Sequence, residues 1–265
     1  MPGMRRPRLL DYDVLLVDLD GVVWLGSSVI SENVEALRRA AESGVRLVFL
    51  SNNSTRTRRH YSLILRSLGL PVEESGVVTS GYAAARWVAL RRPGSNVYVV
   101  GEEGLSIESY LAGLNVVDFE YASTHRIDAV IVGLDRLVTY DKLRAALRAL
   151  HRGALFVAAN EDHVLPREDG FDPGAGSIVS ALSRAAGREP DFVAGKPSPF
   201  IAELALKDMR GAKALVVGDR LDTDIELARR AGLDGLLVLT GVTREPPERA
   251  PPNLVGVVKT LLDAI

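Results

Sequence analysis

The segment Asp13–Trp24, "DVLLVDLDGVVW", decides the fold. Its four consecutive apolar residues, Val14–Val17, are too few for a helix and predict a buried strand. Asp18 and Asp20 follow at once, and Gly21 lets the chain turn directly after them. Two neighbouring carboxylates repel each other unless a cation lies between them or one is protonated. The segment therefore predicts either a solvated strand end or a site for a hard cation such as Mg²⁺, which prefers oxygen ligands.

Short apolar runs and helical periodicity alternate through the rest of the chain. Further strands are predicted at Val45–Leu50, Val97–Val100, Ala129–Val132, Leu155–Ala158, Ala214–Val217 and Gly235–Leu239. Helices are predicted at Glu32–Glu42, Arg58–Leu68, Ser80–Leu90, Tyr140–Leu150, Ile178–Ala186, Pro199–Lys207 and Thr223–Ala231, with Ser31 as an N-cap and Gly44, Gly69, Gly187 and Gly232 as C′ residues. This alternation predicts an α/β fold with a parallel sheet.

The composition is typical of a soluble globular protein and excludes several kinds of site. Of the 265 residues, 47% are hydrophobic and 25% charged, and the formal net charge of -2 gives no reason to expect a nucleic-acid or membrane partner. The absence of cysteine excludes disulfides and thiolate metal sites. We expect a cytoplasmic protein, because the basic N-terminal residues lack the apolar stretch of a secretory signal. The lack of cysteine and glutamine is typical of thermophiles, although GC-biased codon usage produces the same pattern.

Three further polar clusters lie at or just after predicted strand ends, at Ser51–Ser54, Gly195–Pro197 and Gly218–Asp224. Because ligands of an open parallel sheet bind beyond the carboxyl ends of its strands, we expect the clusters to meet at one edge. Each has an ordinary interpretation on its own: a helix cap by Ser54 or Thr55, an exposed lysine, or aspartates at a helix start. Together they supply the donors, the ammonium group and the carboxylates that a phosphoryl group and a cation require.

The order of these motifs, "DLDG", "SNNS", "GKP" and "GDRLDTD", resembles the haloacid dehalogenase-like (HAD) phosphatase superfamily. The words "VGLDRLVTYDKL" at Val132–Leu143, "PGAGSIVSAL" at Pro173–Leu182 and "GKPSPF" are similar to the branch that contains nitrophenylphosphatase, phosphoglycolate phosphatase, pyridoxal phosphatase and the N-acetylglucosamine-operon phosphatase. The resemblance runs from Asp13 to about Gly241 and implies a Rossmann-like core formed by residues 1–80 and 191–265. Residues 81–190 would form an inserted α/β cap that closes over the site and sets substrate specificity.

The resemblance implies roles for the two leading aspartates and for the lysine. Asp18 would attack phosphorus and form an aspartyl-phosphate. Asp20 would protonate the leaving oxygen, deprotonate the hydrolytic water, and bind Mg²⁺ through its backbone carbonyl. Lys196 would steady both Asp18 and the transferring group.

Four further residues complete the implied site. The carboxylate of Asp219 would be a Mg²⁺ ligand beside that of Asp18, and Asp224 would hold metal-bound waters. Ser51 and Asn52 would hydrogen-bond the phosphoryl oxygens.

The cap loop "AANEDHVLPREDGFDPGAG", residues 158–176, is expected to face the leaving group by analogy with this branch. Its specificity candidates are Asn160, Asp162 and His163, for each of which an ordinary surface loop is the alternative. Ala159 departs from the branch, where threonine is usual. Trp24 and Trp87 are interpreted as packing anchors, with Trp24 in a flap after the first strand.

The leading hypothesis is a Mg²⁺-dependent phosphatase that hydrolyses small-molecule phosphomonoesters through an aspartyl-phosphate intermediate. Its partner would be a small phosphorylated metabolite, and related proteins imply a homodimer formed through the cap. The alternative is a catalytically silent protein that binds or senses phosphorylated metabolites in the same pocket. Dinucleotide binding is excluded, because no G-x-G-x-x-G follows the first strand.

Overall fold

The computed structural model describes residues 8–167 and 170–265, which form two compact units. One unit comprises the chain up to Ser51 together with Arg58–Val78 and Lys196–Ile265. The second comprises Asn52–Thr57 and Thr79–Gly195. The short segment Asn52–Thr57 lies with the second unit, whereas the sequence analysis assigned it to the core.

The elements follow one another as alternating strands and helices. In chain order they are β1 (Val14–Asp18), β2 (Trp24–Leu25), β3 (Ser28–Val29), α1 (Ser31–Glu42), β4 (Arg46–Ser51), α2 (Arg58–Ser67), β5 (Val77–Thr79), α3 (Ser80–Arg91), β6 (Asn96–Val100), α4 (Glu103–Leu111), β7 (Asn115–Val117), α5 (Phe119–Thr124), β8 (Ala129–Val132), α6 (Tyr140–His151), β9 (Leu155–Ala158), β10 (Val164–Arg167), β11 (Gly170–Pro173), α7 (Ala175–Ala186), β12 (Phe192–Val193), α8 (Pro199–Leu206), β13 (Ala214–Gly218), α9 (Glu226–Ala231), β14 (Asp234–Val238) and β15 (Leu254–Val258). Among the described residues, no helix has the length and apolar character needed to cross a membrane.

The first unit contains a six-stranded sheet with the strand order β15-β14-β13-β1-β4-β5. Strand β1 is central and completely buried, and it pairs in parallel with both β13 and β4. In this register Val17 lies between Val217 and Phe49. The carboxyl ends of three neighbouring strands therefore meet at one edge, as an open α/β fold requires for a ligand site. The predicted α/β fold with a parallel sheet is confirmed.

The second unit has its own five-stranded sheet in the order β12-β9-β8-β6-β7, in which every pair is parallel. Its core includes Tyr98, Val130, Phe156 and Leu182, all buried. The hairpin of β10 and β11 lies outside this sheet. Residues 158–176 were predicted as a loop, and the hairpin corrects that prediction. Its strands were missed because prolines and charged residues hide the alternation that marks a strand.

Two helix starts differ from the sequence predictions. Ser31 is the first residue of α1 and not its N-cap, since Ile30 precedes the helix and makes no side-chain cap. The predicted helix Thr223–Ala231 is divided, because a π-helical turn at Leu221–Ile225 precedes α9. In this wider turn, Oδ2 of Asp224 accepts a hydrogen bond of 3.1 Å from the backbone N–H of Arg220. The four predicted C′ glycines all have positive φ, between 67° and 93°.

Candidate active site

Three buried side chains meet beyond the carboxyl end of β1. The Nζ atom of Lys196 lies 2.6 Å from Oδ1 of Asp18 and 2.7 Å from Oδ1 of Asp224. The backbone N–H of Leu19 donates a further bond of 2.7 Å to the same Asp18 oxygen. Charged side chains are rarely buried unless they are paired, and here each one has a partner. The fold therefore fixes Asp18 between a cation and a backbone donor.

Asp219 joins this cluster from the loop that follows β13. Its Oδ2 accepts a bond of 2.5 Å from the backbone N–H of Val242. A Cβ atom on Gly21 or Gly241 would collide with the Asp219 carboxylate, so both positions require glycine. Gly21 also has a φ of 85°, which favours glycine over other residues. The chain packs closely around this carboxylate on two sides.

Buried Asn33 ties the loop after β1 to two other parts of the first unit. Its Nδ2 donates to the carbonyl of Val22 at 2.8 Å and to Oγ1 of Thr240 at 3.1 Å. Its Oδ1 accepts from the backbone N–H of Leu261 at 2.8 Å, and Thr240 donates to the carbonyl of Gly21 at 2.6 Å. These satisfied buried bonds rigidify the turn that carries the aspartates.

The carboxylates of the cluster share an excess of negative charge. Burial and then the charge of Asp224 raise the pKa of Asp18 well above its ordinary range, although Lys196 opposes the shift. Burial, reinforced by Asp224, raises the pKa of Asp219 to about 6. Burial alone would lower the pKa of Lys196, but Asp18 and Asp224 outweigh it and raise that pKa. One ammonium group does not balance three carboxylates, so further positive charge would stabilise their ionised forms.

The donor set of this cluster fits a divalent cation. Asp18, Asp219 and Asp224 each offer one oxygen, and these oxygens lie within 4.8 Å of one another. Oδ1 of Asp219 is buried and has no hydrogen-bond partner among the described residues. A buried carboxylate oxygen without a partner is costly, and a hard cation would satisfy it. Asp18 and Asp219 are the carboxylates best placed to hold that ion, because Oδ1 of Asp224 binds Lys196 and its Oδ2 binds the backbone of Arg220.

Asp20 lies at the rim of the cluster and differs from Asp18 in its surroundings. Its side chain is exposed, and its Oδ1 accepts a bond of 3.0 Å from the indole Nε1–H of Trp24. Trp24 also stacks on Tyr61, with ring centroids 6.3 Å apart and planes inclined by 15°. The sequence predicts Trp24 to be a packing anchor in a flap after the first strand. The structure adds a direct contact with a candidate catalytic carboxylate.

The predicted phosphate-binding residues fall in different units. Ser51 is buried at the end of β4 in the first unit. Asn52 belongs to the second unit, where its carbonyl accepts bonds of 2.6 Å from both Ser80 Oγ and Asn160 Nδ2. Neither expected helix cap forms: Ser54 Oγ has no partner among the described residues, and Thr55 Oγ1 donates to its neighbour Asn53.

Two of the three specificity candidates lie together within the second unit. The Nδ2 group of Asn52 donates to Oδ2 of Asp162 at 3.2 Å. The backbone N–H of Asp162 in turn donates to Oδ1 of Asn160 at 3.1 Å. His163 is exposed, and its carbonyl accepts from the N–H of Gly174. The structure thus joins Asn160 and Asp162 to Asn52, and His163 takes no part in these two side-chain bonds.

Some residues that support the site were not predicted, because they lie far from Asp18 in the sequence or resemble ordinary helix residues. Gly241 and Thr240 lie more than 200 residues after Asp18, and only the fold brings them to the loop after β1. Asn33 reads as an ordinary helix residue in the sequence, yet it is completely buried. A buried asparagine on the apolar face of a predicted helix was the available signal, since such residues are mostly exposed.

Two family models and a curated relative match the chain. A family model described as haloacid dehalogenase-like hydrolase matches residues 15–115, and a second one, HAD-hydrolase-like, matches residues 193–264. The chain is 37% identical to the 5'-nucleotidase YutF of Bacillus subtilis, over 88% of this chain and 89% of the relative.

Two solved structures are similar over most of the chain. The p-nitrophenyl phosphatase from Archaeoglobus fulgidus has a TM-score of 0.84 and 38% identity, and the match covers 95% of this chain and 97% of that one. The glycerol phosphate phosphatase of Mycobacterium tuberculosis in complex with magnesium has a TM-score of 0.80 and 41% identity, and the match covers 90% and 71%. The latter protein has also been solved in complex with calcium.

Proposed function

The chain belongs to the haloacid dehalogenase-like hydrolase family, and within it we propose a phosphoric monoester hydrolase that cleaves small-molecule phosphomonoesters through an aspartyl-phosphate on Asp18, with Mg²⁺ as its cation. One observation carries the proposal: buried Asp18 is held by Lys196 and lies close to an Asp219 oxygen for which the described part of the chain offers no hydrogen-bond partner. The relative named as a 5'-nucleotidase and the solved structure of a p-nitrophenyl phosphatase support the reaction class. The structures of the M. tuberculosis relative with magnesium and calcium support a divalent cation.

In the first step an Asp18 carboxylate oxygen forms a bond to phosphorus. The ester P–O bond breaks, and its electron pair goes to the leaving oxygen, which takes the proton of the Asp20 carboxyl group. The products of this step are the alcohol, an aspartyl-phosphate on Asp18, and an ionised Asp20. Covalent catalysis of this kind divides one difficult displacement into two easier ones.

In the second step the Asp20 carboxylate takes a proton from a water molecule. The water oxygen bonds to phosphorus, the bond from phosphorus to Asp18 breaks, and its electron pair returns to the carboxylate. Inorganic phosphate leaves, and both aspartates regain their starting forms. Over the two steps, one ester and one water molecule give one alcohol and one phosphate.

The proposed reaction requires positive charge around Asp18. Lys196 neutralises the Asp18 carboxylate and lets it approach an anionic phosphoryl group. The carboxylates of Asp18 and Asp219 and the backbone carbonyl of Asp20 would hold the Mg²⁺ ion, with Asp224 orienting its waters. When bound, this ion would neutralise charge on the phosphoryl oxygens.

Further residues would recognise the substrate. We propose that Ser51 and Asn52 donate hydrogen bonds to the phosphoryl oxygens. The second unit, predicted as residues 81–190, would set specificity through Asn160, Asp162 and His163, and a homodimer would form through this unit. A silent binding protein is less well supported, because Asp18, Asp20 and the Asp219 oxygen supply a candidate nucleophile, a candidate proton donor and a candidate cation ligand.

The direct test measures phosphate release from 4-nitrophenyl phosphate by the full chain. We expect turnover with Mg²⁺, none after removal of the metal by EDTA, and recovery when Mg²⁺ is added back. Asp18→Asn should lower kcat by at least about 1,000-fold. Binding of phosphate esters without turnover would instead establish the silent binding protein.

A further inference from the structure

The turn after β1 brings the side chain of Trp24 to the carboxyl group of Asp20. We propose that Trp24 is a positioning residue that fixes the Asp20 carboxyl group for proton transfer to the leaving oxygen, an inference that rests on the proposed phosphatase function. Asp20 is exposed, so packing alone does not fix its side chain. The indole Nε1–H donates to its Oδ1 at 3.0 Å.

The backbone of the turn places the two residues side by side. The N–H of Gly21 donates to the carbonyl of Trp24 at 2.6 Å, and the N–H of Trp24 donates to the carbonyl of Leu19 at 3.3 Å. Asp20 and Trp24 form an isolated bridge, four residues apart in sequence. The positive φ of Gly21 allows this tight return. The contact is therefore built by the same turn that follows the catalytic strand.

Trp24 is itself held both at its ring and at its backbone. One face stacks on Tyr61 of α2, whose side chain is buried. The backbone of Trp24 pairs with Val29 in the short hairpin of β2 and β3. A ring held in this way presents its N–H in a fixed direction, which is what positioning a second side chain requires.

The chemistry of the donor suits a carboxyl group that must gain and lose a proton. An indole N–H is a donor only and carries no charge, so it cannot take the proton itself. An ammonium group in the same place would hold Asp20 as a carboxylate by charge. Asp18, which must remain ionised to attack, is instead paired with the ammonium group of Lys196. The two aspartates thus have donors that match their different tasks.

A positioning role predicts that the defect depends on the leaving group. An alkyl alcohol leaves only if its oxygen is protonated, whereas 4-nitrophenol leaves readily as the anion. Loss of the N–H should therefore impair an alkyl phosphate much more than 4-nitrophenyl phosphate. A purely structural role of Trp24 would lower both rates by the same factor, because both scale with the amount of folded enzyme.

The experiment compares kcat/KM for glycerol phosphate and for 4-nitrophenyl phosphate in Trp24→Phe, which keeps a ring against Tyr61 and removes the N–H. Because kcat/KM reports the steps up to the covalent intermediate, the ratio of the two values isolates leaving-group protonation. We expect the value for glycerol phosphate divided by that for 4-nitrophenyl phosphate to fall about tenfold. Most of this fall should come from a lower kcat for glycerol phosphate. Tyr61→Phe is the matched control, and it should leave the ratio within about twofold of the wild type. The ratio remains valid if a variant is partly unfolded, since the folded fraction cancels.

The outcomes separate this inference from the function on which it rests. An active wild-type enzyme with an unchanged ratio in Trp24→Phe overturns the positioning role and leaves the phosphatase function intact. Tyr61→Phe keeps both the ring stacked on Trp24 and the indole N–H, so an equal fall in that variant would show that the ratio does not report the loss of this donor, and it also overturns the positioning role. A wild-type protein that turns over neither substrate overturns the proposed function itself.

Discussion

The Nζ atom of Lys196 lies 2.6 Å from Oδ1 of Asp18, and both side chains are buried. A buried ion pair adds little net stability over apolar packing, but removal of one partner leaves an uncompensated charge. The same ammonium group also serves Asp224. Stability and catalysis therefore depend on one lysine in this site.

Lys196→Met tests that dependence. The variant should lose phosphatase activity and about 3 to 5 kcal/mol of unfolding free energy at neutral pH, because the carboxylates stay buried without their cation. Urea unfolding followed by circular dichroism measures the second quantity. The control is Lys207→Met on an exposed side chain, which should change stability by less than about 0.5 kcal/mol. A Lys196→Met protein as stable as the wild type would contradict the conclusion that Lys196 neutralises the buried carboxylates.

The cation affinity should depend on pH through Asp219. Its pKa is raised to about 6 in the metal-free fold, above the ordinary value of 3.8. The folded, metal-free chain therefore binds a proton that the unfolded chain has already lost, and this contribution to stability is lost as pH rises through about 6. A cation competes with that proton, so Mg²⁺ should bind more tightly at about pH 7.5 than at about pH 5.

Thermal melts with and without Mg²⁺ at the two pH values check this expectation. The rise in Tm on adding Mg²⁺ should be clearly larger at the higher pH. Asp219→Asn removes the titrating group and a ligand, and it should abolish most of the rise at both pH values. A rise that is equal at both pH values in the wild type would exclude proton competition at this site.

Gly241→Ala should damage the cation site selectively. A Cβ atom at this position would collide with the Asp219 carboxylate, so the carboxylate must move. We expect a loss of activity of at least about tenfold and a higher Mg²⁺ concentration for half-maximal activity. Val242→Ala is the neighbouring control, because it keeps the backbone N–H that binds Asp219. Normal Mg²⁺ dependence in Gly241→Ala would show that the close approach is not required.

Asp162→Ala should change substrate preference more than stability. Its carboxylate is half-buried and accepts a bond from Asn52. If Asp162 contributes to specificity, its removal should reorder kcat/KM across a panel of phosphorylated metabolites. Asn160→Ala is the comparison. Because the Asn160 side chain is buried, its removal should lower the free energy of unfolding by about 1 to 3 kcal/mol. A uniform fall across the whole panel in Asp162→Ala would contradict a specificity role.

Four strands of the first unit's sheet, β1, β4, β13 and β14, were predicted because they carry their own signal, whereas the outer strands β5 and β15 were not predicted. The runs Val14–Val17 and Ala214–Val217 are continuous apolar segments, as expected for strands buried on both faces. Their carboxyl ends carry Asp18 and Asp219, and the topology of an open parallel sheet brings such ends together. The aspartates and the lysine were thus located from motif order.

The remaining features depend on contacts that no local pattern encodes. The bond from Trp24 to Asp20 exists because Gly21 turns the chain back, and the sequence shows only that a turn is allowed. The π-helical turn at Leu221–Ile225 was read as the start of an ordinary helix, because its periodicity is helical. The hairpin of β10 and β11 was hidden by its polar composition.

The central claim is that Asp18 is phosphorylated during turnover. It is tested most directly by rapid acid quench of the full chain during turnover with a substrate labelled in the phosphoryl group, followed by peptide mass spectrometry. We predict that the label is found on the peptide containing Asp18, is released by hydroxylamine as an acyl-phosphate is, and is absent from Asp18→Asn. Turnover by Asp18→Asn at the wild-type rate, with no label on the wild-type peptide, would contradict the covalent mechanism.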